Sequence, residues 1–506
     1  MESDYLALRN GNRILGDAVS RPEGTANLNK DIAGRIGYAF ALWLAERLET
    51  SPDRVTIAVG RDPRVSSGDL ALGVMQGVTS ADCDALDCGI STTPAVFALA
   101  AGPDPCDGAV MITASHHPWY KNGIKFTAKD GGLDAEDVEV ILKSAASAAL
   151  PMRLVRQADA LEPYQARLAD MIRTQLEDDA KMPLLGLHVV VDAGNGSGGF
   201  FADFLENLGA YVDGSIGLAP DGLFPGHAPN PRDPEALRAL SDAVLANEAD
   251  MGLLFDVDCE RVAIVDQDGK IIERNRLIAL IAAIVLEERP GATIVTDSVT
   301  SSGVARFISE WGGVHYRYKR GHRNVIDEAI RLNEEGIDCP LAIETSGHAA
   351  MRENYFLDDG AFLATRILCE TMKRKREGLT LSSLIEELDE PVERVELRLS
   401  VTDPDAKEAG QSVIETVLSH TLDDPSWFLA PDNREGMRIS FDLDGGVDNA
   451  WFLLRLSIQD PVMPLYAESD VPGGIARIFR PLYELLAEEE APLDLAPLRD
   501  YLDHAE

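Results

Sequence analysis

Residues 109–118 read Ala-Val-Met-Ile-Thr-Ala-Ser-His-His-Pro, and this stretch indicates how the chain folds. Its first four residues form an apolar run that predicts a buried β-strand. Residues 113–118 then predict a sharp turn that exposes the hydroxyl of Ser115 at the end of the strand. Lys121 and Lys125 follow closely, and such cations stabilise the charge of a phosphoryl group carried by a hydroxyl. A plain turn at a strand end is the alternative.

Length and composition narrow the class of protein. A chain of 506 residues predicts three or four domains of the usual size. The formal net charge is −39, so nucleic acid and anionic membranes, which would be repelled, are predicted not to be partners. No apolar run is long enough to span a bilayer, and residues 1–5 lack the features of a signal peptide. The six cysteines show no metal or disulfide spacing, which predicts reduced thiols and a cytoplasmic protein.

A recurring order of strand, polar loop and helix predicts α/β layers with sites at the carboxyl ends of the strands. The glycine-rich loop 192–198 follows one such strand, but it lacks the lysine of a P-loop, which favours a tight turn over a phosphate cradle. From about residue 391 alternating β-rich runs predict a smaller α+β domain. Helices are predicted over residues 30–49 and from Asp134 through residue 142, and strands over residues 55–59, 187–191, 251–255, 293–297, 340–343, 395–399 and 451–456.

Three acids at alternate positions follow the predicted strand 251–255. Asp256, Asp258 and Glu260 offer hard oxygen ligands of the kind that Mg²⁺ prefers. An EF-hand is excluded because Arg261 stands where the calcium loop requires glycine. A charged turn that hydrogen-bonds its own backbone is the remaining alternative.

Three later segments carry further polar side chains. Residues 318–323 are densely basic, so in this acidic chain they predict a pocket for an anionic substrate, with a solvated loop or helix-start charges as the alternative. Residues 344–348 combine an acid, a hydroxyl and an imidazole, which suits either sugar hydroxyls or a capping arrangement. Arg455 and Ser457 close the late β-rich run and can hold a phosphate.

Taken together, these loops resemble the α-D-phosphohexomutase family, specifically its phosphomannomutase/phosphoglucomutase-like members. In the family's order, residues 113–118 resemble the phosphoserine loop, 256–261 the Mg²⁺ loop, 344–348 the sugar-binding loop, and 455–461 a degenerate phosphate-binding loop. The resemblance implies four domains around a central cleft, three of similar mixed α/β fold and a C-terminal TATA-box-binding-like α+β domain. The predicted domains are 1–184 (phosphoserine loop), 185–290 (metal loop), 291–390 (sugar-binding loop) and 391–506 (phosphate-binding).

The activity that the resemblance implies is an intramolecular phosphotransfer. The enzyme would interconvert hexose 1-phosphate and hexose 6-phosphate, of glucose or mannose or both, through a phosphoserine and a bisphosphorylated sugar. Sugar phosphates would be the partners, Mg²⁺ the cofactor and hexose 1,6-bisphosphate the activator. Two alternatives stay open: an amino-sugar phosphate mutase, and a degenerate homologue that binds sugar phosphates with little turnover.

The resemblance also implies roles for individual residues. Ser115 would carry the phosphoryl group and, with Asp256, Asp258 and Glu260, bind the metal. The other predicted catalytic residues are Lys125, His116, Arg61 and His348. The predicted substrate-binding residues are Arg261, Lys319, His322, Glu344, Ser346, Arg455 and Ser457.

The chain departs from the family's pattern in ways that motivate the degenerate alternative. Leu15 stands where the family has an arginine facing the phosphoserine, and Arg13 and Arg61 are the candidates to replace that arginine. Glu260 replaces the usual aspartate among the metal ligands. Residues 458 and 459 are isoleucine and glutamine where small and hydroxyl residues are typical.

Overall fold

The structure is a computed structural model that describes residues 2–22, 24–102, 106–129, 131–145, 156–457 and 460–505, so the departures at residues 458 and 459 lie outside the described residues. The chain forms two compact units. The first comprises Met1–Ile272 and Gly347–Ser383, and the second comprises Glu273–Ser346 and Leu384–Glu506. The four predicted domain boundaries stay a prediction.

The first part of the first unit is an α/β layer built on an eight-stranded sheet. Its strands are β1 Arg9–Asn10, β2 Arg13–Asp17, β3 Thr56–Arg61, β4 Asp84–Ile90, β5 Gly108–Ile112, β6 Lys121–Ala128, β7 Gly131–Gly132 and β8 Arg156–Gln157. Its helices are α1 Glu2–Leu6, α2 Lys30–Arg47, α3 Ser67–Ser80, α4 Thr93–Ala101, α5 Ala135–Ala145 and α6 Leu161–Leu176. The strand order is β1-β2-β6-β5-β3-β4-β8, with β7 paired to β6.

The helices begin where the sequence supplies caps. The side chain of Asn29 accepts hydrogen bonds from two backbone N–H groups at the start of α2, and Asp134 accepts two at the start of α5. Helix α2 ends two residues before the predicted boundary, because Glu49 takes a left-handed conformation with φ of 50°. A Cβ atom on Gly77 of α3 would lie 1.9 Å from the carbonyl oxygen of Gly34, so glycine is required where α2 and α3 cross.

Strand β5 is buried along its whole length and confirms the strand predicted from residues 109–112. It runs parallel to β3 and antiparallel to β6. Its carboxyl end therefore presents the loop 113–118 beside the loops that follow β3.

The first unit continues with a second α/β layer. Its strands are β9 Val189–Asp192, β10 Met251–Phe255, β11 Val262–Asp266 and β12 Ile271–Ile272, and its helices are α7 Phe200–Asn207 and α8 Pro234–Ala246. The sheet order is β12-β11-β10-β9. Strand β10 has the predicted bounds and pairs antiparallel with β11, so the predicted metal loop 256–261 is the connection of a hairpin.

The glycine-rich loop after β9 forms a tight turn, as predicted from its lack of the P-loop lysine. Gly194 and Asn195 both have positive φ, and the Asp192 carboxylate accepts a hydrogen bond from the Gly194 N–H at 2.9 Å. The other carboxylate oxygen of Asp192 bonds His227 Nε2 at 2.8 Å. The buried acid therefore holds two loops together.

The contact with His227 makes stability depend on pH. The hydrogen bond to Asp192 raises the pKa of His227 above its ordinary value of 6.5, so folding favours the protonated imidazole. This contribution is complete below the unfolded pKa and is lost as pH rises through the folded-state pKa. We expect His227→Gln, which can donate a hydrogen bond but carries no charge, to flatten this dependence. Urea unfolding at about pH 6 and about pH 9 measures it, and an unchanged difference between the two pH values in the variant would contradict the assignment.

The chain then enters the second unit. Its helices here are α9 Arg274–Glu288, α10 Ser302–Glu310 and α11 His322–Glu334, and its strands are β13 Thr293–Thr296, β14 Val314–Arg317 and β15 Leu341–Ile343. Strands β14, β13 and β15 are parallel and lie side by side in that order. Their carboxyl ends carry Asp297, the basic residues 318–323 and Glu344. The chain returns to the first unit with β16 Ala349–Met351 and α12 Gly360–Arg376.

The C-terminal part of the second unit is an antiparallel α+β domain, as predicted. Its strands are β17 Glu393–Ser400, β18 Phe428–Leu429, β19 Met437–Phe441, β20 Ala450–Leu454 and β21 Val462–Ser469, and its helices are α13 Ala406–Asp423, α14 Gly474–Glu488 and α15 Ala496–His504. The strand order is β17-β21-β20-β19-β18. Strand β20 ends at Leu454, before the predicted end, so Arg455 and Ser457 lie in the loop that follows it.

Three α/β layers and a C-terminal sheet domain agree with the predicted fold class. Among the described residues, no helix has both the length and the apolar character needed to cross a membrane.

Candidate active site

Ser115 lies on the loop after β5 in a left-handed backbone conformation that glycine adopts more readily than other residues. Its φ is 50°, a backbone conformation that costs a non-glycine residue about 1–3 kcal/mol. The buried hydroxyl donates a hydrogen bond to Asp256 Oδ2 at 2.8 Å and accepts one from Arg261 Nη2 at 3.3 Å. The strained turn therefore presents the hydroxyl to the loop between β10 and β11.

Arg64, which the sequence analysis missed, holds this turn. Its buried guanidinium donates hydrogen bonds to the backbone carbonyls of Ser115, His117 (2.7 Å) and Pro118 (2.7 Å). Its Nε donates to Asp62 at 3.0 Å, so its charge is paired. One side chain satisfies several carbonyls of the loop and fixes the strained backbone.

We expect Arg64→Met to lower turnover strongly and to destabilise the protein by about 3–5 kcal/mol, because it leaves the buried Asp62 carboxylate unpaired. The double variant Asp62→Asn/Arg64→Met removes both charges and is expected to regain stability without regaining turnover. Thermal unfolding and steady-state rates measure the two effects. Recovery of turnover in the double variant would contradict a positioning role for Arg64.

The three predicted metal ligands lie together in the first unit. Asp256 accepts hydrogen bonds from the backbone N–H and the Nε of Arg261, both at 3.1 Å. Asp258 Oδ2 accepts from Thr93 at 2.6 Å and from Lys125 at 2.7 Å. Glu260 Oε2 lies 2.7 Å from the same Lys125 ammonium. Residues from three separate segments thus converge beside Ser115.

One carboxylate oxygen in this cluster is left over. Asp258 Oδ1 is buried and has no hydrogen-bond partner among the described residues. An orphaned buried acceptor is costly unless another group satisfies it. A carboxylate oxygen of this kind, on the same loop as the Asp256 and Glu260 carboxylates, is the type of ligand that Mg²⁺ prefers.

Burial and ion pairing set the charges of these groups. Desolvation raises the pKa of Glu260 to about 8 against the opposing charge of Lys125. Desolvation also acts to raise the pKa of Asp258, but Lys125 outweighs it and the pKa falls to about 2. In Lys125 the two acids likewise overcome desolvation and raise the pKa of the ammonium group. Lys125 is therefore a charged group between two carboxyl groups of different proton affinity.

His116 is neutral and oriented by Arg261. Its Nδ1 lies 2.6 Å from Arg261 Nη2, which can only donate, so Nδ1 accepts. Burial, together with the charge of Arg261, lowers the pKa of His116 to about 2. Because the His116 ring is uncharged, Arg261 supplies the positive charge beside the Ser115 hydroxyl.

The two arginines predicted to compensate for Leu15 lie on neighbouring parts of the first sheet, Arg13 on β2 and Arg61 on β3. Arg61 ends β3 and pairs with Asp87 on the neighbouring strand at 3.1 Å. Burial lowers the pKa of His117 to about 4, and the positive charge of Arg13 is the next contribution. The guanidinium of Arg61 is thus held by Asp87, and the catalytic role of Arg61 stays a prediction.

His348 and an acid that the sequence analysis missed also belong to this cluster. His348 forms a β-bridge with Arg261, and its Nδ1 makes a short hydrogen bond with Asp358. Burial, and then Arg261, lowers the pKa of His348, whereas burial raises the pKa of Asp358. Donor atoms of Glu260, His348 and Asp358 lie within 4.8 Å of one another. Asp358 precedes Asp359, the N-cap of α12, and no local sequence pattern singled it out.

The comparisons with known proteins give the chain a family. Models described as phosphoglucomutase/phosphomannomutase α/β/α domains I, II and III match residues 17–150, 162–269 and 273–391. The chain belongs to this family. The resemblance stated from the sequence is confirmed, and so is the predicted fold class of three α/β domains with a further C-terminal sheet domain.

Curated relatives and solved structures agree with the family models. The chain is 31% identical over 488 residues to a phosphomannomutase/phosphoglucomutase of Pseudomonas syringae pv. tomato, covering 95% of this chain and 98% of the relative. It is 31% identical over 458 residues to a phosphoglucomutase of Neisseria gonorrhoeae, covering 89% and 92%. A crystal structure of a phosphoglucomutase/phosphomannomutase family protein from Burkholderia thailandensis matches with a TM-score of 0.79 and 26% identity, covering 98% of this chain and 99% of that chain.

Glu344, a predicted sugar-binding residue in the second unit of this mutase-family chain, contacts Ser346. Its carboxylate accepts hydrogen bonds from the Gly321 N–H at 2.6 Å and from the Ser346 hydroxyl at 2.9 Å. Burial, and then the charge of Asp297, raises the pKa of Glu344 to about 7. Lys319 is exposed, and His322 is the first residue of α11.

The predicted phosphate-binding residues follow β20. Arg455 Nη1 lies 3.5 Å from Glu435, whose other oxygen accepts hydrogen bonds from the backbone N–H of Arg320 (3.1 Å) and from Ser298 (2.6 Å). Ser457 donates its N–H to the Val462 carbonyl at 3.0 Å and so closes the loop. Sequence reasoning missed Glu435, because only the fold brings it to Arg455 and to the basic segment 318–323.

Proposed function

We propose that the protein is a phosphohexomutase that interconverts the 1- and 6-phosphates of glucose, of mannose or of both. A phosphoryl group on Ser115 would pass to the sugar and give a bisphosphorylated intermediate. The other phosphate of that sugar would then return to Ser115. Family membership and the names of the relatives support a hexose phosphate mutase, which is an isomerase acting by phosphotransfer.

One observation carries the proposal. The Ser115 hydroxyl lies within hydrogen-bond distance of both the Asp256 carboxylate and the Arg261 guanidinium in a buried cluster. A hydroxyl held in this way is positioned to accept and release a phosphoryl group, and the guanidinium is positioned to bind the oxygens of that group.

Ser115, Asp256, Asp258 and Glu260 would hold the Mg²⁺ ion. When bound, the ion supplies positive charge that neutralises the transferring phosphoryl group. The chain's own cations act beside it, Arg261 at the serine oxygen and Lys125 between Asp258 and Glu260. Lys125 lies 2.7 Å from both carboxyl groups and carries a positive charge, so we propose that it stabilises the oxygen of the attacking sugar hydroxyl.

The remaining roles concern the substrate. Glu344 and Ser346 would bind sugar hydroxyls, with Lys319, His322 and His348 near the sugar. Arg455 and Ser457 would bind the phosphate that does not react. We propose Arg13, rather than Arg61, as the cation that stands in for the family's arginine. The activator would be a hexose 1,6-bisphosphate, and a cytoplasmic location stays a prediction.

The test is an assay on a panel of sugar phosphates. The purified protein is incubated with Mg²⁺, a trace of glucose 1,6-bisphosphate, and glucose 1-phosphate, mannose 1-phosphate or glucosamine 1-phosphate. We expect 6-phosphate from glucose, mannose or both at rates above that from glucosamine. Preference for glucosamine would favour the amino-sugar alternative. Binding without turnover of any of the three, in folded protein, would favour the degenerate homologue and contradict the proposal.

A further inference from the structure

Glu435 lies in the turn before β19 and beside Arg455, which was proposed above to bind the phosphate that does not react. One oxygen of its carboxylate lies 3.5 Å from Arg455 Nη1. The other oxygen accepts hydrogen bonds from the Ser298 hydroxyl at 2.6 Å and from the Arg320 N–H at 3.1 Å. The two shorter contacts of the carboxylate are therefore with neutral donors, and the contact with the guanidinium is the longest of the three.

The backbone of this turn is fixed against the same arginine. Gly436 has a φ of 54°, and a Cβ atom on it would lie 2.3 Å from the Leu454 carbonyl oxygen and 2.7 Å from Arg455 Cβ, so glycine is required. The side chain of Asn433 donates a hydrogen bond to the Gly436 carbonyl and accepts one from the Arg438 N–H, each at 3.0 Å. The turn thus holds its carboxylate beside the guanidinium independently of the ion pair.

The ion pair lies mostly out of solvent. The side chain of Glu435 is 14% exposed and that of Arg455 is 11% exposed, and among the described residues no second carboxylate pairs with this arginine. Charges interact more strongly in such surroundings than in water. A phosphate that reaches Arg455 must lie beside a fixed acid, which already occupies Nη1 and repels the anion. The carboxylate therefore weakens the binding of a phosphate at this place.

A limit on phosphate affinity suits the proposed reaction. The two phosphates of the bisphosphorylated sugar exchange places, so the phosphate on Arg455 must be released within each turnover. A guanidinium that lacks a neighbouring carboxylate binds a phosphate oxygen through strong charge-assisted hydrogen bonds. Tight binding of the intermediate in one orientation stabilises that state and slows the next step.

We propose that Glu435 limits the affinity of Arg455 for the phosphate that does not react, so that the bisphosphorylated sugar is released from this place and turns round. This inference rests on the proposed function. Glu435 is a positioning residue, because it acts on the phosphate-binding group and touches no reacting atom.

The variant Glu435→Gln tests the proposal. Its amide oxygen can still accept the hydrogen bonds from Ser298 and Arg320, but the negative charge is lost. Binding of glucose 1,6-bisphosphate is measured by calorimetry in the Ser115→Ala background, where no phosphoryl group is transferred. We expect the Kd to fall at least about tenfold. With Ser115 restored, KM for glucose 1-phosphate and kcat should both fall at least about threefold, whereas a structural defect would raise KM.

Two further comparisons protect this test. Glu415 is exposed on α13, and Glu415→Gln loses the same charge, so it is the matched control and its Kd should stay within about twofold. Because Glu435→Gln leaves a buried guanidinium without an acid, Arg455→Gln is also compared with Glu435→Gln/Arg455→Gln. The fixed carboxylate repels the phosphate in the first of these proteins as well, so the double variant should bind the bisphosphate more tightly.

The outcomes separate this role from the proposed function. If the wild type interconverts sugar phosphates but the bisphosphate affinity does not rise in folded Glu435→Gln, the role of Glu435 is overturned and the proposed function stands. A wild type that neither interconverts sugar phosphates nor binds the bisphosphate would contradict the proposed function and this role together.

Discussion

Replacing Ser115 by alanine is expected to lower kcat by at least about 10⁴-fold, because the nucleophile that carries the phosphoryl group is lost. The change removes a hydroxyl that makes hydrogen bonds to Asp256 and Arg261 but no packing contact with a core. Alanine is expected to keep the same turn, because Arg64 binds backbone carbonyls rather than the serine side chain. Loss of activity should therefore occur in a protein that is still folded.

Steady-state assays and thermal unfolding measure these two outcomes. Ser51 is an exposed serine of the first domain, and Ser51→Ala serves as the control that should keep the wild-type rate within about twofold. A Ser115→Ala protein with near-normal turnover would show that another group carries the phosphoryl group.

The second large effect is expected for Asp258→Asn. The variant keeps the shape of the side chain but removes its charge, so the apparent affinity for Mg²⁺ and kcat/KM should both fall, the latter by about 10²–10³-fold. The buried Lys125 ammonium also loses one of two partners that lie 2.7 Å away, which should destabilise the protein by less than the about 3–5 kcal/mol of a fully unpaired buried charge.

A second variant separates the metal effect from the stability effect. In Asp258→Asn/Lys125→Met the ammonium, which keeps only Glu260 as a partner after the first change, is removed. Stability should then recover in part while the metal affinity stays low. Glu260→Asp is the matched control, because it keeps the carboxylate and shortens it to the length usual in the family. Calorimetric titration with Mg²⁺ checks the expectation. A Mg²⁺ affinity in Asp258→Asn equal to that of the wild type would contradict the metal assignment.

Local sequence patterns predicted the elements on which the site is built. Strands β5 and β10 lie where the sequence predicts them. A buried strand requires an apolar run, and the first polar residues after that run mark the end of the strand. Caps such as Asp134 were also readable, because a carboxylate bonds the N–H groups of its own first turn.

Other features could not be read from the sequence, because they depend on packing between distant segments. Arg64 meets the Ser115 carbonyl across 51 residues of chain. Asp358 joins Glu260 only through the fold, and Glu435 meets Arg455 through the turn before β19. The partner of Arg61 was not readable either, because the neighbouring strand supplies Asp87, which binds it.

The most direct measurement is the mapping of phosphate on the protein itself. The wild-type protein is incubated with glucose 1,6-bisphosphate and Mg²⁺, digested and analysed by mass spectrometry, with Ser115→Ala treated in parallel. We predict one phosphoryl group on Ser115 in the wild type and no phosphorylation of the variant. An unmodified Ser115 in protein that turns over sugar phosphates, or a phosphoryl group on another residue in both proteins, would contradict the central claim.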